Sequence, residues 1–256
     1  MKPYPLSILI AIALLFGLAF AEEVEAGTFS QIGTSRWVTV STVYDGDTFK
    51  TVSGEKVRLL GINTPEVARD DNPGEPLAEQ ATLGLKRLIQ GETVRLEFDK
   101  EQKDRYGRLL AHVYLRDGTW TNSQMVELGL AHSYTFAPNF KHSADLLKRE
   151  RTAREKKLGI WATSRFKPLQ SSAVEKKHIG QFRVVYGSPS SIQKKGWGFK
   201  LKHLSISIPK AHRKWFKSAP TLSQKKHVVV RGKIRISSRG KLYLALHSPF
   251  DLEIMN

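Results

Sequence analysis

The stretch RWVTVSTVYDGDTFKTVSGEKVRLLGINTPE, Arg36 to Glu66, decides the fold. Trp37-Val38-Thr39-Val40 opens it with β-branched residues, and Tyr44-Asp45-Gly46-Asp47 supplies a turn. Phe49 to Val52 continues as a strand, Ser53-Gly54 turns again, and Val57 and Leu59 follow at alternate spacing. Pro65 ends the run.

Outward from this core, residues 67–75 are polar, and Asp70-Asp71-Asn72-Pro73-Gly74 marks a surface loop. Glu79 to Gln90 sets Ala81, Leu85, Leu88 and Ile89 on one helical face and stops at Gly91. Two alternating strands follow, one through Val94, Leu96 and Phe98, the other through Leu109, Ala111, Val113 and Leu115. His112 falls on the polar side of the second and reads as a surface residue. Asn122 or Ser123 caps a short helix through Leu128, and a charged helix from about Ser143 to Leu158 closes at Gly159-Ile160-Trp161. Short strands of this number with three helices predict a β-rich α+β domain on a small closed barrel of the OB type.

Phe166 to Lys176 lacks apolar periodicity and reads as a linker. Phe182 to Tyr186 is then a strand. Trp197, Phe199 and Leu201 alternate, and Leu204, Ile206 and Ile208 alternate on the opposite parity, so a tight turn or bulge belongs at Lys202-His203. A short helix over Ala211 to Lys217 and two further strands, through Val228 to Ile236 and Leu242 to Leu246, suit a second small β-rich, OB-like domain. The organisation reads as a signal segment at 1–21, a mature N-terminal segment at 22–35, a barrel domain at 36–165, a linker at 166–176 and a basic domain at 177–256.

The formal charge of the 256-residue chain is +17. From Ser171 onward, eighteen Lys and Arg residues stand against three acids, a balance of +15 that leaves only +2 for residues 1–170. So uneven a distribution separates two functional units and points to a polyanionic partner, nucleic acid ahead of an acidic polymer. Lys233 and Arg235 alternate with Ile234 and Ile236, and Lys241 with Leu242, so one face of the second domain is cationic and suits nucleic-acid binding.

The chain has no cysteine, which excludes disulfides, thiolate catalysis and thiolate zinc sites. Its histidines show no His-Glu-x-x-His spacing. At the N-terminus, Lys2 precedes an apolar run from Leu6 to Phe20, and Ala19-Phe20-Ala21 fits a cleavage site, with Ala26 as a second position. Export follows, to the medium or the periplasm; an uncleaved anchor is the alternative.

Hydrolysis of a phosphodiester needs a hard cation held by oxygen ligands and fixed cations facing the charge that grows on the phosphoryl oxygens. It also needs a carboxylate beside the attacking water. Three segments supply that set. Asp45-Gly46-Asp47-Thr48 puts acids at a turn. Arg58 through Glu66 strings an Arg, the amide of Asn63 and a carboxylate along one strand and its exit. Asp104-Arg105-Tyr106-Gly107-Arg108 adds a second Arg at another turn. Taken singly, Asp45 and Asp47 would also suit an ordinary turn.

Together these segments resemble the staphylococcal nuclease family, in that family's order and over about residues 36–161. The resemblance implies that Asp47 is a carboxylate ligand of Ca²⁺, that Asn63 stands where a second aspartate ligand is usual, and that Thr64 offers its backbone carbonyl. It implies that Arg58 and Arg108 clamp the scissile phosphate and that Glu66 positions or deprotonates the water. Tyr106 and Tyr134 match positions that contact the nucleotide, with Phe136 near another. It further implies cleavage of DNA and RNA with little sequence preference, leaving 3′-phosphates. The expectation is an exported, Ca²⁺-dependent endonuclease, monomeric and without stable membrane insertion after signal cleavage, whose basic domain tethers nucleic acid. A non-catalytic nucleic-acid binder or an adhesion protein for acidic polymers is the alternative.

Overall fold

The computed structural model describes residues 34–68 and 73–255, so the expected signal segment lies outside the described residues. Strands β1 (Ser35–Asp45), β2 (Thr48–Thr51) and β3 (Lys56–Leu59) follow one another through the two expected turns, each antiparallel to the one before. A two-residue strand β4 (Ile62–Asn63) carries the chain out of the barrel to helix α1 (Ala78–Ile89). Strands β5 (Thr93–Lys103) and β6 (Leu109–Tyr114) complete a closed barrel in the order β1-β2-β3-β6-β5, with β3 and β6 parallel. Helix α2 (Thr121–Glu127), strand β7 (His132–Ser133), which pairs with β4, and helix α3 (Ser143–Glu155) follow.

Alternation builds the barrel interior. Val94, Leu96 and Phe98 on β5 are all buried, as are Phe49, Val57 and Leu59 on β2 and β3. Helix α1 buries Ala78, Ala81, Leu85 and Ile89, the face its periodicity predicts, with Leu88 half-buried at its margin.

Two expectations fail on β6 and α2, for one reason. His112 is buried, not exposed, because the outer face of β6 is roofed by Trp120 and His142, whose rings lie 5.4 and 4.7 Å from its own. Asn122 is not a helix cap. Its side chain accepts the Val113 N–H at 2.9 Å and donates to the Leu60 carbonyl at 2.8 Å, tying α2 to the barrel. Alternation identifies a strand's two faces, but not whether a helix covers the second one.

The C-terminal half is also β-rich. Strands β8 (Leu169–Gln170), β9 (Phe182–Gly187), β10 (Ser191–Ile192), β11 (Gly198–Leu201), β12 (Leu204–Ser207), β13 (His227–Ile236) and β14 (Leu242–Ala245) form a sheet in the order β10-β11-β12-β14-β13-β9-β8. Strand β15 (Leu252–Met255) pairs with β13. The expected turn at Lys202-His203 joins β11 to β12, with Lys202 at a φ of 55°. The helix expected over 211–217 is a 3₁₀ turn at Lys210–Trp215. When the five principal strands are numbered in chain order, both sheets run 2-3-5-4-1 with a parallel 3–5 pair. Only the first closes strand 1 onto strand 2.

The stretch expected as a linker is packed. Phe166 and Val174 are buried, and β8 pairs parallel to β9. Its apolar residues act as single anchors, so no periodicity marks them. Ala153, Ile160, Trp161 and Phe166 share one apolar cluster with Val184 of β9. Beside it lies a buried charge network. Arg231 of β13 reaches Glu150 of α3 at 2.6 Å and pairs with Glu253 of β15, which Arg154 of α3 meets at 2.9 Å. Burial opposes the charge on Arg231, but Glu150 and Glu253 together raise its pKa above the ordinary value. The second sheet is therefore docked on α3 and on the segment that follows it.

Candidate functional site

The turn between β1 and β2 starts the site. A Cβ at Gly46 would lie 2.7 Å from both Ala81 Cβ and Thr64 Cγ2, so only glycine lets this turn press against α1 and the exit of β4. That approach aims Asp47 inward. Its Oδ1 accepts from Thr48 Oγ1 at 3.0 Å, and its Oδ2 accepts from the Thr64 N–H at 3.0 Å and Thr64 Oγ1 at 3.1 Å.

Arg58 stands opposite Thr48 across the β2–β3 ladder, which brings its guanidinium to Asp47 at 3.0 Å. The same Nη2 donates to the Ile62 carbonyl and to Asn63 Oδ1, both at 2.9 Å, while Nη1 donates to the Leu59 carbonyl at 2.6 Å. The guanidinium is thus fixed on several sides. Asn63 Nδ2 donates in turn to the Thr64 carbonyl at 3.1 Å.

Arg108 comes from the turn between β5 and β6, where Gly107 takes a φ of 78°. Asp104 organises that turn. Its Oδ1 accepts the N–H groups of Tyr106 and Arg108 at 2.9 and 3.0 Å, and its Oδ2 accepts Arg108 Nε at 2.7 Å. Despite burial, these bonds hold the Asp104 carboxyl below the usual range.

Glu66 sits past Pro65 on the exit segment. Its N–H donates to Glu75 Oε2 at 3.1 Å, and Glu75 is itself held by Arg165. Burial, followed by the charges of Asp47, Asp45 and Glu75, pushes the Glu66 carboxyl above its usual range, with Arg58 opposing. Asp45 is raised likewise, by burial and then by Asp47.

A single cleft of about 610 Å³ is lined by Asp45, Asp47, Arg58, Asn63, Glu66, Tyr106, Arg108, Tyr134 and Phe136 among others. Residues from four separate segments therefore meet at one rim of the barrel. Thr64 is buried behind Asp47. A second cleft of about 600 Å³ shares Asn63, Glu66, Tyr134 and Phe136 with the first, and Lys233 and Arg235 help form its wall. Lys241 does not line it.

The donor set suits a hard divalent ion. Asp47 and Asp45 offer carboxylate oxygens, Asn63 an amide oxygen and Thr64 a carbonyl, and each amide-type oxygen keeps a second lone pair beyond the hydrogen bond it accepts. Burial first, and then the charge of Asp47, raises the carboxyls of Asp45 and Glu66, with Arg58 opposing. Among the described residues no three Asp, Glu, His or Cys side chains cluster for a metal, in keeping with an amide at Asn63.

Glu75, Arg165 and Asp104 carry no role in a reading of the sequence. Asp104 is signalled by its spacing to Gly107, as a turn former. Glu75 and Arg165 meet across ninety positions of chain, and no local pattern announces them.

Residues 56–163 match the family model described as staphylococcal nuclease homologue. The chain is similar to the thermonuclease of Staphylococcus hyicus, at 32% identity over 169 residues that cover 63% of this chain and 99% of that protein. It is 38% identical to the thermonuclease of Staphylococcus intermedius over 125 residues, covering 48% of this chain and 74% of that one. To endonuclease YncB of Bacillus subtilis it is 38% identical over 132 residues, covering 50% and 62%.

Proposed function

Because the chain belongs to the staphylococcal nuclease family, we propose that it is a nuclease that hydrolyses phosphodiester bonds of DNA and RNA with Ca²⁺, leaving 3′-phosphates. The observation that carries this reading is the convergence of Asp47, Arg58, Glu66 and Arg108 on one cleft.

Asp47, Asn63 and the Thr64 carbonyl would hold the ion, which supplies positive charge next to a phosphoryl oxygen. The residues around it do the rest. Arg58 and Arg108 present planar, forked donors, and they meet the negative charge growing on the phosphate. Both are oriented in advance, Arg58 by three carbonyl-type oxygens and Asp47, Arg108 by Asp104, so little reorganisation accompanies the reaction. Glu66 lies at the cleft with a raised proton affinity, which suits it to orient a water and take its proton. Exposed Tyr106 and Tyr134 offer aromatic surface to nucleotide bases.

Asn63 replaces one negative ligand with a neutral one, so calcium binding is weaker than an aspartate there would give. Export belongs to the same proposal and rests on the residue pattern of 1–21.

Incubation of the purified protein with plasmid and with RNA, with Ca²⁺ or with a chelator, tests the reading. Degradation only with the ion, and product ends that accept label only after 3′-phosphatase treatment, are expected. Intact substrates under all divalent ions would refute it.

A further inference from the structure

The second cleft has a wall that the nuclease barrel does not supply. It continues from the first, since Asn63, Glu66, Tyr134 and Phe136 line both. Its remaining lining includes Phe182 from β9, and Lys233 and Arg235 from β13. We propose that this cleft is a subsite for the single-stranded nucleic acid flanking the scissile phosphate, with Lys233 and Arg235 holding backbone phosphates. The proposal rests on the nuclease reading of the first cleft and adds a role for the second sheet.

Three observations carry it. Lys233 and Arg235 are exposed, and among the described residues no ion pair neutralises either one. The other guanidiniums nearby are occupied, Arg231 by Glu150 and Glu253 and Arg165 by Glu75. Two uncompensated cations beside an active-site rim therefore face whatever leaves it.

Aromatic surface lies between the two groups of cations. Tyr134 and Phe136 are exposed, their rings 6.3 Å apart, and Phe182 stands edge-on to Tyr134 at 5.6 Å. Unpaired bases find π-faces there, whereas a duplex keeps its bases stacked inside, which is why a single strand fits this path. Finally, the wall is rigidly placed. Arg231, on the same strand as Lys233 and Arg235, docks that strand against α3 through Glu150, with Glu253 of β15 completing the network, so the cations are held at a fixed position relative to Glu66. A loosely tethered basic module would raise only local concentration; a docked one sets a path.

The test is fluorescence anisotropy of the full chain with a labelled thymidine dinucleotide and a thymidine decanucleotide, in chelator so that nothing is cut. Lys233→Ala with Arg235→Ala is compared with Lys194→Ala and Lys195→Ala, which remove equal charge from exposed positions in the turn between β10 and β11, outside the cleft lining. The first pair is expected to shrink the decanucleotide's advantage over the dinucleotide by about tenfold. It should also flatten the slope of log affinity against log salt by about 1.4, the share of two phosphate contacts on a single strand. The second pair should change neither. An unchanged decanucleotide affinity in the first pair, or an equal loss in the second, would overturn the subsite. Loss of plasmid cutting by the unaltered protein would instead strike the nuclease reading, because the cleft is scored by anisotropy alone.

Discussion

The two sheets follow one strand order, yet their charged residues are used differently. At the first barrel Asp45, Asp47 and Glu66 line one cleft with Arg58, and burial first, then their mutual charge, raises the carboxyls of Asp45 and Glu66. Beyond residue 170 two of the three acids are held by cations, while the third, Asp251, is held by backbone N–H groups and burial raises its carboxyl to about 6. Glu253 is taken by Arg231, Arg151 and Arg154, Asp251 accepts the N–H groups of His247 and Ser248, and Glu175 pairs with Lys177. Strand order thus does not select the chemistry; the side chains that the strand ends and turns bring to a cleft do. In the proposed reading the first part holds a cation and activates water, and the second holds phosphates.

The strongest way to break this comparison is to remove the carboxylate proposed to take the proton of the attacking water. Glu66→Gln is expected to lower the cleavage rate by on the order of a thousandfold while oligonucleotide affinity stays near its original value. A gel time course with anisotropy on the same variant checks both.

Next in size is the joint between the sheets. Arg231→Met leaves Glu150 and Glu253 buried with one partner fewer and should cost about 3 kcal/mol or more, read from urea unfolding. Should the variant unfold with the midpoint of the original, the two halves are not held together by this network.

Acid sharpens the contrast further. Burial holds His112 neutral in the folded barrel down to about pH 3, with His142 adding to the effect. The unfolded chain takes up that proton near pH 6.5. Stability that His112 confers is therefore complete above pH 6.5 and is lost progressively as the pH falls toward 3, by about 2 kcal/mol at pH 5. Hydrogen exchange at pH 5 should show β6 opening more readily than at pH 7, with a smaller change in His112→Asn.

The smallest effect concerns the ion. Asn63→Asp restores a negative ligand and should tighten Ca²⁺ binding by on the order of tenfold in calorimetry. No change would place the ion away from this residue.

Much of this was legible in the chain itself. The turn residues and alternation from Trp37 to Leu59 predict the barrel's first three strands, whereas Asp47, Arg58, Glu66 and Arg108 are marked by the family resemblance of three segments, because spacing alone does not bring them to one rim. What stayed hidden depends on contacts between distant segments. The burial of His112 needs a helical roof from Trp120 and His142, and the pinning of Glu66 needs Glu75 and Arg165, ninety residues apart. The packing of Phe166 likewise needs β9. Sequence periodicity reports a residue's own element, and such partners lie on others.

The central claim, that both arginines act on one phosphate at one rim, is tested most directly by single-turnover cleavage in Ca²⁺ with Arg58→Ala, Arg108→Ala and the pair, each confirmed folded by circular dichroism. Groups serving one transition state lose their effect together, so the pair should be little slower than the worse single variant. If the two losses multiply in full, the arginines work at separate places and the shared site is wrong.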